Sequence, residues 1–142
     1  MRVHRESSTT QALYGGNFVG QVRLEMVDQA VDESKPDIAR VTFDGSAVTH
    51  WHSHPGGQRL LVLNGRARVG TEAEGEVQLE PGSFVHTPPG ERHYHGAADA
   101  DGCTLLAVTW GTTKWEDGAP PAAASDEPPA AHDYDLTSRR QP

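Results

Sequence analysis

The sequence predicts an all-β fold, a small barrel or sandwich of short strands. Three observations carry this. Apolar and polar residues alternate in runs of strand length, separated by turn signals at intervals of about eight to twelve residues. Fifteen Gly and ten Pro interrupt those runs while aromatic residues make up only 6% of the chain, which favours turns over a helical bundle. The sequence also contains no long amphipathic helix and no internal repeat. A chain of 142 residues holds one core, expected over residues 17–116, between an N-terminal arm (1–16) and a C-terminal segment (117–142).

The elements follow in order. Residues 1–17 are polar and end in Tyr14-Gly15-Gly16-Asn17, a loop signal. FVGQVRLEMV (18–27) alternates, with Phe18, Val22, Leu24 and Met26 on one face, and predicts one half-buried strand. Residues 27–37 are polar and contain Pro36, giving a loop with room for one helical turn. IARVTF (38–43) is a strand and Asp44-Gly45 a turn; VTHWHSH (48–54) is a strand with Trp51 facing away from His50 and His52. RLLVLNGRARVG (59–70) predicts a hairpin, because Asn64-Gly65 between apolar runs favours a type I′ turn. EVQLE (76–80), SFVHTP (83–88), the segment opening at His93–Gly96, and CTLLAVTW (103–110) complete the strands. From Asp117 the chain is rich in Pro, Ala and Asp without a core pattern, so a mostly disordered acidic tail is expected.

The net charge of −8 argues against nucleic acid and against an anionic membrane surface as partners. No apolar stretch reaches the length of a membrane span, and MRVHRESSTTQ lacks the apolar stretch of a secretory signal. A bacterial-type cytoplasmic protein is the default expectation. Cys103, alone in the apolar run CTLLAV, reads as a buried inert thiol.

The chemistry concentrates between Gly45 and Gly65. His52 and His54 alternate on one strand face, about 7 Å apart along the backbone, and the Pro55–Gly57 turn can swing Gln58 back toward them. Two imidazoles and an amide oxygen at one point make a metal site, with imidazole suiting Zn, Cu, Fe and Ni and oxygen suiting harder ions such as Mn. A second stretch, Gly82-SFVHT-Pro88-P-Gly90-ER-His93, brings a fourth candidate.

These two stretches resemble the paired motifs of the cupin superfamily. His54, Gln58 and Gly65 keep the first motif's spacing, with Gln where Glu is usual; Gly82, Pro88, Gly90 and His93 match the second. Over residues 17 to 116 the wording WHSHPGGQ and PPGERHYHGAA is similar to small single-domain bacterial cupins that include the manganese-dependent hydroxynitrile lyases. The resemblance implies a jelly-roll β-barrel, a homodimer, and one divalent ion on His52, His54, Gln58 and His93. Mn or Fe is favoured, with Zn or Ni as alternatives. Four neutral ligands would leave the ion its full charge as a Lewis acid, with two positions open for a small-molecule substrate. Those lyases carry a histidine where this chain has Leu105.

His95, two residues past His93, shares its face and is the candidate general base. His50 is expected at the pocket rim or a dimer surface, His86 along the barrel interior, and Trp51 and Tyr94 as packing residues or substrate walls. His4 and His132 are expected in solvent, and Val41, Leu60, Val62 and Leu105 in the pocket wall. The functional expectation is a metal-dependent carbon–carbon lyase. An Fe(II)-dependent dioxygenase and a non-catalytic metal- or ligand-binding barrel are the alternatives.

Overall fold

Every alternating run becomes β-strand, but three are divided or joined differently from the sequence pattern. The computed structural model describes residues 1–5, 10–13 and 16–123. The strands are β1 (Thr10–Leu13), β2 (Phe18–Val19), β3 (Val22–Asp28), β4 (Asp37–Phe43), β5 (Val48–Thr49), β6 (His52–Ser53) and β7 (Gln58–Gly65). They continue as β8 (Ala67–Thr71), β9 (Gly75–Leu79), β10 (Phe84–Thr87), β11 (His93–Ala97), β12 (Cys103–Thr109) and β13 (Lys114–Trp115). No helix occurs among the described residues.

Two antiparallel sheets form a jelly-roll barrel. One runs β1-β3-β4-β12-β7-β10. The other runs β13-β6-β11-β5-β2, with β8 pairing β11 on its far side and β9 pairing β8. From β7 onward the chain crosses repeatedly between the sheets, so the two candidate motifs, distant in sequence, meet where β6 lies beside β11.

The first division falls in 18–27. Gly20 adopts φ +87 and the strand splits into β2 and β3, which belong to different sheets. The second falls in 48–54, where β5 and β6 pair β11 separately on either side of His50 and Trp51. The third corrects the expected hairpin at 59–70: β7 pairs with β10 and β12, and β8 with β9 and β11. A type I′ turn needs positive φ at both central residues, and among the described residues only glycines have it. Asn64 therefore stays extended and Gly65 alone, at φ +75, turns the chain across to the other sheet. An added Cβ there would lie 2.3 Å from the Gly102 carbonyl oxygen.

The expected arm contributes β1, which pairs with β3 and covers that sheet edge. The first residues of the expected tail lie on the barrel, with Pro120 and Ala123 buried; residues 124–142, His132 among them, fall outside the described residues.

One end of the barrel is filled and the other is open. Phe43, Leu60, Val62 and Leu105 are at most 2% exposed and pack with Val22, Ala67 and Ala97. Each such large side chain contributes about 1.5–3 kcal/mol by leaving water. Along β12 from Cys103 to Thr109, and along β4 from Phe43 back to Asp37, the inward residues pass from this plug to the walls of a cavity of about 480 Å³. The plug thus forms a floor above which polar groups converge.

Candidate metal centre

His52 is placed by β6, His93 and His95 by β11, and Gln58 by the first position of β7. His52 and His93 are direct cross-strand partners. His54 follows β6, where Pro55 ends the strand and the chain turns. Its carbonyl accepts from the Gly57 N–H (3.1 Å) and from the Gly90 N–H (2.9 Å). One carbonyl thus ties the Pro55–Gly57 turn of the first motif to the Pro88–Gly90 turn of the second. Gly56 and Trp110 add further backbone bonds, fixing where Gln58 begins its strand.

The five side chains converge. His52, His54, Gln58, His93 and His95 are each at most 5% exposed. Ring centroids lie 4.3 Å apart for His52–His93, 4.8 Å for His52–His54 and 5.2 Å for His54–His93. His95 stacks on His93 at 5.5 Å and lies 5.1 Å from His52. One ring nitrogen from each of His52, His93 and His95 falls within 4.8 Å of the others, a spacing that could hold an ion.

The outward nitrogens determine what faces inward. His52 Nδ1 donates to the His50 carbonyl (2.9 Å) and His93 Nδ1 to the Glu91 carbonyl (3.0 Å). A carbonyl only accepts, so both rings are held with the Nε2 lone pair available. His54 Nδ1 meets the Thr113 hydroxyl at 3.0 Å, again leaving Nε2 inward and without a partner.

Gln58 Nε2 donates to the Thr109 hydroxyl (2.9 Å), so its Oε1 points at His93 Nε2, 3.1 Å away. Two acceptors at that distance repel unless a cation lies between or beside them. Burial lowers the His93 pKa, which disfavours a proton in that role. Burial first, then the neighbouring imidazoles, lowers His52 to about 3 and His54 to about 4. The donor set is therefore neutral, convergent and short of cations, and it fits a divalent metal.

His95 differs from the others. Neither of its ring nitrogens has a hydrogen-bond partner, and burial followed by the three nearby imidazoles puts its pKa well below the ordinary value. Its neutral ring opens onto the cavity.

The cavity walls are mostly apolar: Phe18, Leu24, Met26, Ala39, Phe43 and Trp115 surround the polar floor. Trp115 packs 4.6 Å from the His52 ring and edge-on to Phe18. Asp32, Glu33 and Lys35 of the β3–β4 loop and Asp37, the first residue of β4, add charged groups to the lining.

Several sequence expectations change here. Of the four expected wall residues only Val41 lines the cavity; Leu60, Val62 and Leu105 belong to the plug. His50 is not a lining residue, because the break between β5 and β6 takes it off the His52 face. His86 is exposed, since on β10 it is Val85 and Thr87 that turn inward. Trp51 and Tyr94 pack edge-on at 4.8 Å and line no part of this cavity. His4 is exposed as expected. Sequence reasoning missed Thr109, Thr113 and Trp115. Thr109 carried a recognisable signal, being the last inward position of a strongly alternating strand.

Comparison with known proteins places the chain in a family. Residues 39–109 match the family described as "Cupin domain". A curated relative, (R)-mandelonitrile lyase from Granulicella tundricola, is 41% identical over 91 residues, covering 64% of this chain and 70% of the relative. Among solved structures, a cupin-like protein from Thermotoga maritima superposes with a TM-score of 0.68 at 26% identity, covering 89% of this chain and 92% of that one. An acetylacetone dioxygenase from Acinetobacter johnsonii also gives 0.68, at 16% identity over 88% of this chain and 83% of that one, a likeness of fold alone.

Proposed function

This chain belongs to the cupin family, and we propose that it is a metal-dependent enzyme acting on a small organic substrate inside the barrel, most closely a hydroxynitrile-lyase-like carbon–carbon lyase. The observation that carries the reading is the pair of inward lone pairs on His52 and His93, joined by the unpartnered Nε2 of His54 and the Gln58 oxygen facing His93. We assign these four side chains as the metal ligands, with Mn or Fe favoured, and extend the proposal to a homodimer. When bound, the divalent ion would supply Lewis acidity toward a substrate oxygen without needing an anionic ligand.

The chain's own residues do the rest. Phe18, Met26 and Trp115 hold the apolar body of the substrate and exclude water from the floor. His95, which lines the cavity with neither ring nitrogen engaged, offers a lone pair to the substrate hydroxyl and takes its proton as general base. With a cyanohydrin, the hydroxyl proton goes to His95 and the bond to the nitrile carbon breaks. Cyanide then leaves with the bonding electrons and recovers the proton from His95, giving a carbonyl product and hydrogen cyanide. The test is cleavage of mandelonitrile by protein loaded in turn with Mn, Fe and Zn; no cyanide release at any loading refutes the lyase reading.

A second reading rests on the three imidazoles of His52, His93 and His95, whose donor atoms lie within 4.8 Å of one another. Such a set also suits Fe(II) and oxygen. Oxygen uptake that requires both iron and a diketone or phenol would favour the dioxygenase.

A further inference from the structure

The residues that alternate with the site histidines point out of the barrel, and there they are bound together by the segment Glu116–Ala123. Trp51 precedes His52, Arg92 precedes His93, and Tyr94 lies between His93 and His95. The Arg92 guanidinium lies over the Trp51 ring at 4.1 Å and donates to Glu116 at 2.7 Å. The Glu116 N–H in turn bonds to the Trp51 carbonyl at 3.0 Å. Trp51 meets Tyr94 edge-on, and the Tyr94 hydroxyl donates to Glu76 at 2.7 Å. Gly70, directly opposite Tyr94, is what lets that ring lie across β8; a Cβ there would come within 2.3 Å of the ring.

Arg68 closes the array. It is 1% exposed, yet it donates to the Ala97 carbonyl (3.1 Å), to Glu76 (3.0 Å) and to the Pro121 carbonyl (2.7 Å). A guanidinium is costly to bury, and this one is satisfied in three directions, one of which is the C-terminal segment itself. Pro120 and Ala123 are buried on either side of that bond.

We infer that Glu116–Ala123 is a strap that positions β6 and β11, and so the site histidines, from outside the barrel, with Arg68, Tyr94 and Arg92 as its positioning residues. The strap fixes the outward face of the same short strands whose inward face carries His52, His93 and His95. Two-residue β6 has only a single pairing with β11 and two with β13 to hold it, so it depends on such outer contacts. The inference rests on the proposed metal site for its main readout.

The test compares the full chain with chains ending at Ala123 and at Trp115. Titration calorimetry with Mn²⁺ and with Zn²⁺ gives affinity; far-UV circular dichroism and thermal melting report the fold. The chain ending at Ala123 is expected to bind as the full chain does, and the chain ending at Trp115 to bind about tenfold more weakly. Equal affinity of the two shortened chains overturns the strap. If the shorter one does not fold, Arg68→Lys in the full chain takes its place, with the same loss expected and parental affinity as the refuting result. Should the full chain bind no metal, the metal reading fails, and the strap is read from ¹⁵N spectra of the imidazoles in metal-free protein. Shifted or broadened His52 and His93 resonances on strap removal support it, and unchanged ones overturn it.

Discussion

Thr109→Val separates the role of one hydroxyl from that of shape, because the two side chains are nearly isosteric. Thr109 stands directly opposite Gln58 in the β12–β7 pair and accepts from its amide at 2.9 Å. Gln58 is 4% exposed, so the loss strands a buried N–H donor, at a cost of about 1–3 kcal/mol. For a domain of this size, about 2 kcal/mol lowers Tm by about 4–8 °C. The amide, no longer held at its nitrogen, also loses the orientation that aims Oε1 at His93, and metal affinity is expected to fall about tenfold. Thermal melting of metal-free protein reads the first effect and calorimetric titration the second. Thr109→Ser, which keeps the hydroxyl, should preserve affinity. A Val variant with parental Tm and parental metal affinity would refute the assignment of Thr109 as the anchor of Gln58.

Other outcomes follow from the same geometry. Because His52 and His54 have folded-state pKa values lowered to about 3 and about 4, the unfolded chain binds more protons below its ordinary imidazole value. The stability of metal-free protein is therefore full above about pH 6.5 and is lost as pH falls toward 4, by about 1.4 kcal/mol per pH unit for each imidazole; denaturant melts across that window check it. Burial pushes the Cys103 thiol up to about 12, so iodoacetamide at pH 8 should leave it unmodified in native protein and alkylate it in guanidinium, as read by mass spectrometry. Ala107, on β12, lines the cavity but is not among the assigned ligands, so Ala107→Phe places a ring in the substrate space. It should abolish turnover while leaving metal stoichiometry intact, at a stability cost of about 1–3 kcal/mol.

Much of this was legible in the sequence, for identifiable reasons. Strict alternation located β4, β7 and β12. The two Gly- and Pro-framed motifs located four of the five convergent side chains, because turns with fixed residue demands leave little freedom in where the next side chain points, and His95 followed from alternation past His93. Sheet membership was not legible. Asn64-Gly65 carries the local signature of a hairpin, and only the approach of Gly102 to Gly65, a contact between distant segments, shows why the chain crosses over instead. The wall residues suffered similarly: Leu60 and Leu105 alternate inward as expected, but their position along the barrel axis assigns them to the plug. The role of Arg68 had no local signal either, since nothing near it in the sequence reveals that Pro121 will cover it.

The central claim is that the imidazoles and Gln58 hold a metal ion, and its most direct test is elemental analysis of protein purified without added metal or a histidine tag, beside His93→Ala. The account predicts close to one Mn, Fe or Zn per chain in the parent, lost in the variant. A parent that holds no metal, even after reconstitution with each ion, would contradict it.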